Sequence, residues 1–115
     1  MKEFILFCGL SGSGKSSYIN TYTKKLHKEE YNVLVVSSDK IREEVYGDIN
    51  DQTHNSKVFQ HIHKTIQQWA TRDYNENDVL IVDATNLTRK HRMAMLNIVK
   101  QSKQLIYCYA CVMAT

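Results

Sequence analysis

An eight-residue segment near the start of the chain, GLSGSGKS from Gly9 to Ser16, fits the pattern G-x-x-x-x-G-K-[ST] at every position. Glycines at these spacings let the backbone curl so that successive N–H groups face inward and form a nest for phosphate oxygens. Lys15 can place a positive charge beside β- and γ-phosphate oxygens, and Ser16 can offer its hydroxyl to Mg²⁺. The segment therefore predicts a site for ATP and Mg²⁺. The residues predicted to bind the nucleotide are Gly9, Ser11, Gly12, Ser13, Gly14, Lys15, Ser16 and Ser17.

The alternative for this glycine segment is a flexible Gly/Ser loop before an ordinary helix. The flanking sequence argues against that alternative. Residues 3–9, EFILFCG, form a continuous apolar run that is typical of a buried strand. After the segment, Tyr18, Ile19, Tyr22 and Leu26 recur at helical spacing. A phosphate-binding loop requires this context, because the phosphates bind at the positive end of the helix that follows it.

The rest of the chain alternates apolar runs with helical patterns. Unbroken Val/Ile/Leu runs separated by helices are typical of a parallel sheet that is covered on both faces. The predicted fold class is α/β, a three-layer P-loop NTPase fold with a sheet of about four strands. Strands are predicted at residues 3–9, 32–39, 75–86 and 104–113, and helices at 16–30, 40–47, 56–74 and 89–102.

Two of the predicted helices carry apolar stripes that should face the core. Residues on one stripe recur three or four positions apart, which places them on the same side of a helix. The predicted core residues of residues 56–74 are Val58, Phe59, Ile62, Ile66 and Trp69, and those of residues 89–102 are Met93, Leu96 and Val99.

Two of the predicted strands end in an aspartate. Asp39 follows VLVVSS, and Asp83 follows VLIV. Ligands of open parallel sheets bind beyond the carboxyl ends of the strands, so both carboxylates should lie near the glycine segment. Asp83 can hold the magnesium ion, directly or through water, or hold an acceptor hydroxyl. Its alternative role is a cap for the following turn.

Asp39 is followed three positions later by Arg42, so the two side chains should be neighbours on one helix face. An ion pair there would contribute only about 0.3 kcal/mol, which is too little to explain the choice of residues. The functional interpretation gives each side chain a separate partner. Asp39 would accept the proton of an attacking hydroxyl, and Arg42 would bind a phosphate of the acceptor bidentately. The alternative is a helix cap at Asp39 and a solvated charge at Arg42.

Three segments, GLSGSGKSS, SSDKIR and DVLIVDATNLTRKHR, together resemble the P-loop kinase family that contains the polynucleotide 5′-hydroxyl kinases, and the likeness runs through essentially the whole chain. The resemblance implies that Lys15 and Ser16 bind ATP and magnesium. It also implies that Asp39 is the general base and that Arg42 is a ligand of the substrate phosphate. The residues that it implies for the acceptor and magnesium side are Asp83, Thr85 and Asn86.

The sequence departs from the family pattern in two places. Ala84 separates Asp83 from Thr85, whereas phage members of the family place Asp directly before Thr-Asn. Family members also continue past the fourth strand into a helical lid that carries arginines, whereas this sequence ends at CVMAT. Residues 1–115 are therefore interpreted as a single P-loop kinase-like domain that is incomplete at its C-terminus. Three basic residues either form a solvated helix face or substitute for the lid: Arg89, Lys90 and Arg92.

Composition predicts an ordinary soluble domain. The chain has 115 residues, near the commonest domain size, with 43% hydrophobic and 23% charged residues. Its apolar runs are too short to cross a bilayer, and its first residues lead into the glycine segment rather than a signal peptide. We therefore expect a cytoplasmic protein with no membrane partner. The net charge of +3 tolerates a phosphate-bearing ligand without requiring one.

These observations predict ATP-dependent phosphoryl transfer to a hydroxyl group. The leading acceptor is the 5′-hydroxyl of a polynucleotide, which makes the 5′ end of a nucleic acid the expected substrate. One alternative is a kinase of a small molecule, such as a nucleoside or a sugar. Another is an ATP-binding module without catalysis. The sequence predicts neither a preference for DNA or RNA nor an oligomeric state.

Overall fold

Parallel strands build the sheet of this protein. The computed structural model describes residues 2–9, 15–47, 55–72, 77–84, 89–102 and 105–113. In these residues the strands pair in the order β2-β3-β1-β4, and each neighbouring pair is parallel. The predicted α/β class with a parallel sheet of four strands is therefore confirmed. The strand bounds are β1 (Lys2–Gly9), β2 (Asn32–Ser37), β3 (Asp78–Ala84) and β4 (Ile106–Met113).

Helices occupy the connections between successive strands. Their bounds are α1 (Lys15–Lys28), α2 (Ser38–Tyr46), α3 (Asn55–Thr71) and α4 (Arg89–Lys100). Helix α2 ends as predicted at Gly47, which takes the left-handed conformation with a φ of 77°. Its amide donates to the Glu43 carbonyl oxygen at 3.0 Å, and glycine adopts this conformation at little cost. None of the helices in the described ranges combines the length and the apolar character needed to cross a membrane.

The two faces of the sheet bury separate apolar clusters. Even-numbered residues of β1 and β3, such as Phe4 and Leu80, belong to the cluster that includes residues of α3 and α4. Odd-numbered residues, such as Ile5 and Ile81, pack with residues of α1. Strand β3 is buried at all seven positions, as expected for a strand covered on both sides. The predicted stripe of α3 is confirmed, since none of its members is more than 5% exposed: Val58, Phe59, Ile62, Ile66 and Trp69.

Helix α4 turns the predicted face to the core except at one position. Val99 is buried and Leu96 packs against the core cluster, as expected, but Met93 is 44% exposed and Met95 is completely buried. Met95 and Val99 lie one helical turn apart, so they share a side of the helix. Both join the cluster that contains the α3 stripe. The prediction for Met93 is wrong because the helix carries methionines on two sides, and only the packing against the rest of the core selects between them.

A half-buried histidine lies where α3 faces α4. The Nε2 atom of His63 is buried and has no hydrogen-bond partner within the described part of the chain. One turn earlier on α3, the ring of Phe59 stacks on His91 of α4, with ring centroids 4.0 Å apart. Burial lowers the pKa of His63 below its usual value, and the positive charge that His91 can carry lowers this pKa further.

Acidification is expected to destabilise the fold through His63. Its folded-state pKa lies below the unfolded value of about 6.5, so the unfolded chain takes up the proton first. The stability contribution is complete above that pH and is lost as the pH falls below it. The melting temperature should therefore drop less between about pH 7.5 and pH 5.5 in His63→Gln than in the wild type.

The matched control for this measurement is His61→Gln, because His61 lies on the same helix but is exposed. The control should keep the wild-type loss of melting temperature on acidification. If both variants lost the same number of degrees as the wild type, His63 would not be the group responsible.

Candidate functional site

The strand and the helix on either side of the predicted phosphate loop are both present. Strand β1 ends at Gly9, and α1 begins at Lys15. Ser17 lies in the first turn of α1, where its carbonyl oxygen accepts a hydrogen bond from the Thr21 hydroxyl at 3.0 Å. The predicted loop residues between strand and helix lie outside the described residues, as do the side chains of Lys15 and Ser16. The structure thus supplies the strand-to-helix context, and the nucleotide roles of these residues stay predictions.

Asp83 lies on β3 close to the end of β1. In the parallel register it is the partner of Phe7 on β1 and of Ser37 on β2. Phe7 precedes Gly9 by two residues, so Asp83 stands one strand away from the start of the glycine segment. Its odd position in β3 points it to the sheet face that packs with α1, and it is 9% exposed. The remaining predicted acceptor residues, Thr85 and Asn86, lie outside the described residues.

Helix α2 begins two residues earlier than predicted. Ser37 is its N-cap residue, with extended backbone angles, and its hydroxyl oxygen accepts from the Lys40 amide at 3.4 Å. Asp39 is therefore the second residue of α2 and not its cap. A carboxylate in the first turn is still favourable, because it lies near the positive end of the helix dipole.

Arg42 is the second most voluminous of the fully buried side chains among the described residues, after Trp69. Its Nη1 atom donates to Asp39 Oδ1 at 2.9 Å, and the two groups form an ion pair. The Arg42 side chain is 2% exposed and that of Asp39 is 24% exposed. The alternative of a solvated charge at Arg42 is therefore wrong. The two residues also bind each other, and the separate catalytic partners predicted for them stay predictions.

Burial changes the energetics of this pair. A surface pair at this spacing contributes about 0.5 kcal/mol or less, because water screens both charges. A guanidinium that has left water needs a compensating charge and hydrogen bonds, and breaking such a pair costs several times more. The ion pair with Asp39 thus helps to stabilise Arg42 in the interior, and part of the Asp39 side chain stays exposed at the carboxyl edge of the sheet.

The structure brings the acidic residues to one edge of the sheet. β3 lies between β1 and β2, so the ends of these three strands are neighbours, and α2 starts directly after β2. Asp83 is therefore the register neighbour of both β1 and β2 at this edge, and Asp39 and Arg42 follow the end of β2. Sequence reasoning missed the buried Ser37 and Ser38. The run SSD contains three possible caps, and only the backbone selects the first of them.

The oxygen ligands predicted at the carboxyl edge of the sheet suit Mg²⁺ better than a metal ion that is coordinated by protein side chains alone. Mg²⁺ keeps several waters and takes one or two carboxylates together with phosphate oxygens. Asp83 would supply one such carboxylate, and Ser16, the second residue of α1, is predicted to supply a hydroxyl. Within the described ranges, no group of three or more His, Cys, Asp or Glu side chains could hold a metal ion.

A family model described as an AAA domain matches residues 4–114. The chain belongs to the AAA domain family. Solved structures place this AAA domain in the P-loop kinase-like fold. A cysteine-to-alanine mutant of APS kinase from Mycobacterium tuberculosis superposes with a TM-score of 0.69 at 18% identity, over 96% of this chain and 76% of that one. The same kinase in complex with AMPPNP and APS gives a TM-score of 0.70 at 19% identity, over 96% of this chain and 62% of that one.

These likenesses concern the fold of the AAA domain. The chain spans about three-quarters of the first of these structures and less than two-thirds of the second. No curated protein sequence matches it. The comparisons therefore support a P-loop kinase-like fold for this chain. They do not single out the polynucleotide kinases.

A double-mutant cycle tests the coupling of Asp39 with Arg42. The proteins are the wild type, Asp39→Asn, Arg42→Met and the double variant, each unfolded by urea. The coupling free energy should be about 1 to 3 kcal/mol, because one partner is buried and the bond is charge-assisted.

The control cycle uses Lys40 and Glu44, which are exposed and lie one turn apart on the same helix. Its coupling should not exceed about 0.5 kcal/mol. A coupling for Asp39 and Arg42 that is no larger than the control value would show that the buried pair adds nothing beyond a surface pair.

Proposed function

We propose that this AAA domain transfers the γ-phosphoryl group of ATP to a hydroxyl group of an anionic acceptor. The observation that carries the proposal is the position of the Asp39–Arg42 pair. It lies at the carboxyl edge of the sheet, directly after β2, whose last residue Ser37 is the register partner of Asp83. A base and an anion-binding cation next to a phosphate loop are the parts that this reaction needs.

The nucleotide half of the proposed site is the glycine segment. Its backbone N–H groups, from Gly9 to Ser17, would bind the phosphates of ATP at the start of α1. Lys15 would neutralise charge that builds up on the transferring phosphoryl group. Ser16 and Asp83 would hold Mg²⁺, which when bound screens the charge of the β- and γ-phosphates.

The acceptor half is the start of α2. Asp39 would take the proton of the attacking hydroxyl, so that the acceptor oxygen forms a bond to the γ-phosphorus while the bond to the bridging oxygen breaks and ADP leaves. Arg42 would bind an anionic group of the acceptor. A guanidinium has several N–H donors arranged in a fork, so it can bind Asp39 and a phosphate oxygen at the same time. Because the Arg42 side chain is only 2% exposed, acceptor binding would have to uncover it. Thr85 and Asn86 are proposed to line the same acceptor space.

Two classes of acceptor fit this site, and the first is a small anionic nucleotide. The fold likeness to APS kinases supports it, since one of those structures contains APS together with AMPPNP. The exposed charges of α2 support it as well. Lys40 is accompanied by Glu43 and Glu44, and this mixture is not the basic stripe that a long phosphate backbone requires.

The second class is the 5′-hydroxyl of a polynucleotide. The observation that favours it is the sequence resemblance of SSDKIR and DVLIVDATNLTRKHR to the polynucleotide 5′-hydroxyl kinases. At the start of α4, Arg89 and Lys90 are exposed and could contact a phosphate backbone.

Activity measurements test the proposed roles directly. A screen with γ-labelled ATP over small nucleotides, nucleosides, sugars and 5′-hydroxyl oligonucleotides should give one labelled product class. Asp39→Asn should lower kcat by about 10² to 10⁴ while ATP still binds, because the amide cannot accept the proton. The variant also loses the ion pair with Arg42, so ATP binding and urea unfolding of the same protein show that it is folded under the assay conditions. Lys15→Ala should weaken ATP binding and turnover together. Unchanged turnover in Asp39→Asn would exclude Asp39 as the base, and Lys40→Ala serves as the matched surface control.

Salt dependence separates the two acceptor classes. A polynucleotide held through several phosphates should lose affinity steeply between about 50 and 200 mM salt, whereas a small acceptor should lose much less. The measurement is KM for the acceptor at each salt concentration, with KM for ATP as the internal control. ATP binding without any labelled product would support an inactive nucleotide-binding module instead.

A further inference from the structure

A surface cavity of about 320 Å³ lies at the amino-terminal edge of the sheet, where β2 and β3 begin. Because the strands are parallel, this edge is opposite to the edge that carries the Asp39–Arg42 pair. The two edges are about 23 Å apart along an eight-residue strand. We call it the basal cavity, and it is separate from the proposed phosphoryl-transfer site. Its polar lining consists of His27, Tyr31, Asn32, Arg72 and Asp78.

Asp78 makes the basal cavity a candidate binding site. The residue is 1% exposed, and in the described ranges neither of its carboxylate oxygens accepts a hydrogen bond. Arg72 Nη2 lies 3.6 Å from Asp78 Oδ2, which is an ion pair but too long for a hydrogen bond. A buried carboxylate that lacks hydrogen-bond donors is unfavourable, and native proteins rarely contain one. A ligand in the cavity could therefore supply the hydrogen-bond donors that the Asp78 carboxylate lacks.

The charges around Asp78 favour a neutral ligand. Lys2 is the partner of Asp78 in the β1-β3 register and is also buried. Its Nζ atom donates to the Arg72 carbonyl oxygen at 2.6 Å and lies 4.8 Å from the centre of the Trp69 ring. Lys2 and Arg72 thus place two positive charges near one carboxylate. A cationic ligand would be repelled by them.

The side chains of the lining suit a planar ring. Tyr31 contributes an aromatic side chain, and Val33 and Leu34 add apolar surface from β2. The two oxygens of a carboxylate best accept two parallel N–H bonds. We propose that the basal cavity binds a planar, neutral heterocycle with two adjacent N–H donors, the chemical class of a 2-amino lactam such as guanine. Binding requires the Arg72 side chain, which is 43% exposed and follows the last residue of α3, to swing away from Asp78.

An NMR titration with guanosine tests the proposal on the full chain. AMPPNP is added first, so that the phosphate-binding edge is occupied, and shifts near Lys15 report any nucleoside that binds there. Guanosine should shift the signals of Tyr31 and His27. Inosine lacks the 2-amino group and should bind at least about tenfold more weakly, because one carboxylate oxygen stays without a donor.

Two substitutions localise the binding. Asp78→Asn keeps the shape but replaces one acceptor oxygen by a donor, so guanosine should bind at least about tenfold more weakly while the spectrum of the folded protein is retained. Arg72→Ala removes the side chain that covers Asp78, so it should bind guanosine more tightly. Because it also leaves the buried Asp78 without its ion pair, its urea unfolding is compared with that of the wild type to confirm that the titrated protein is folded. Lys64→Ala removes an exposed charge elsewhere on α3 and should change nothing.

Three outcomes would overturn the proposal. They are no shift at millimolar guanosine in either the wild type or Arg72→Ala, equal binding of inosine and guanosine, and unchanged binding in Asp78→Asn. In the first case the cavity would hold only water. Because the readout is binding at the amino-terminal edge, none of these outcomes depends on phosphoryl transfer, and a failure of that activity would leave this test intact.

Discussion

The position of β3 between β1 and β2 is the constraint on which the candidate site depends. β3 is buried at all seven positions, and its two faces belong to different apolar clusters. A slip of one residue in its pairing would move every side chain to the opposite face of the sheet. Asp83 would then leave the α1 side, and apolar residues would replace it beside the glycine segment. The apolar pattern of β3 thus fixes the place of a single carboxylate.

The Asp39–Arg42 pair links the buried core to the exposed carboxyl edge of the sheet. A buried guanidinium is unfavourable unless a carboxylate and hydrogen bonds compensate it. Asp39 can compensate it because Ser37 caps α2 and so places Asp39 in the first turn, within 2.9 Å of Arg42. The same turn leaves about a quarter of the Asp39 side chain exposed. Asp39 therefore binds Arg42 on its buried side, and its exposed side is accessible to the proposed acceptor.

Much of the fold follows from sequence, because parallel strands buried on both faces read as unbroken apolar runs and α3 reads as one stripe. Neither the strand order β2-β3-β1-β4 nor the choice of which methionine of α4 is buried can be read in this way. Met93 and Met95 fit a helix equally well, and contacts with distant residues decide between them. The same holds for Arg42, whose spacing from Asp39 predicts a shared helix face but not burial. The spacing of residues predicts which face of a helix or strand they share. Whether that face is buried depends on the elements that pack against it.

β3 carries one aspartate near each end, and the two lie in different environments. Asp78 and Asp83 are separated by about 17 Å along the strand, which exceeds the distance of about 8 to 10 Å over which salt screens exposed charges. Direct electrostatic influence of one end on the other is therefore small. Mechanical coupling would need a second stable position for β3, since coupling between distant sites requires an element with two arrangements. The packing of β3 into two apolar clusters opposes such a shift, because any sliding would disrupt both at once. The strand that aligns the proposed phosphoryl-transfer site thus also insulates that site from the basal cavity.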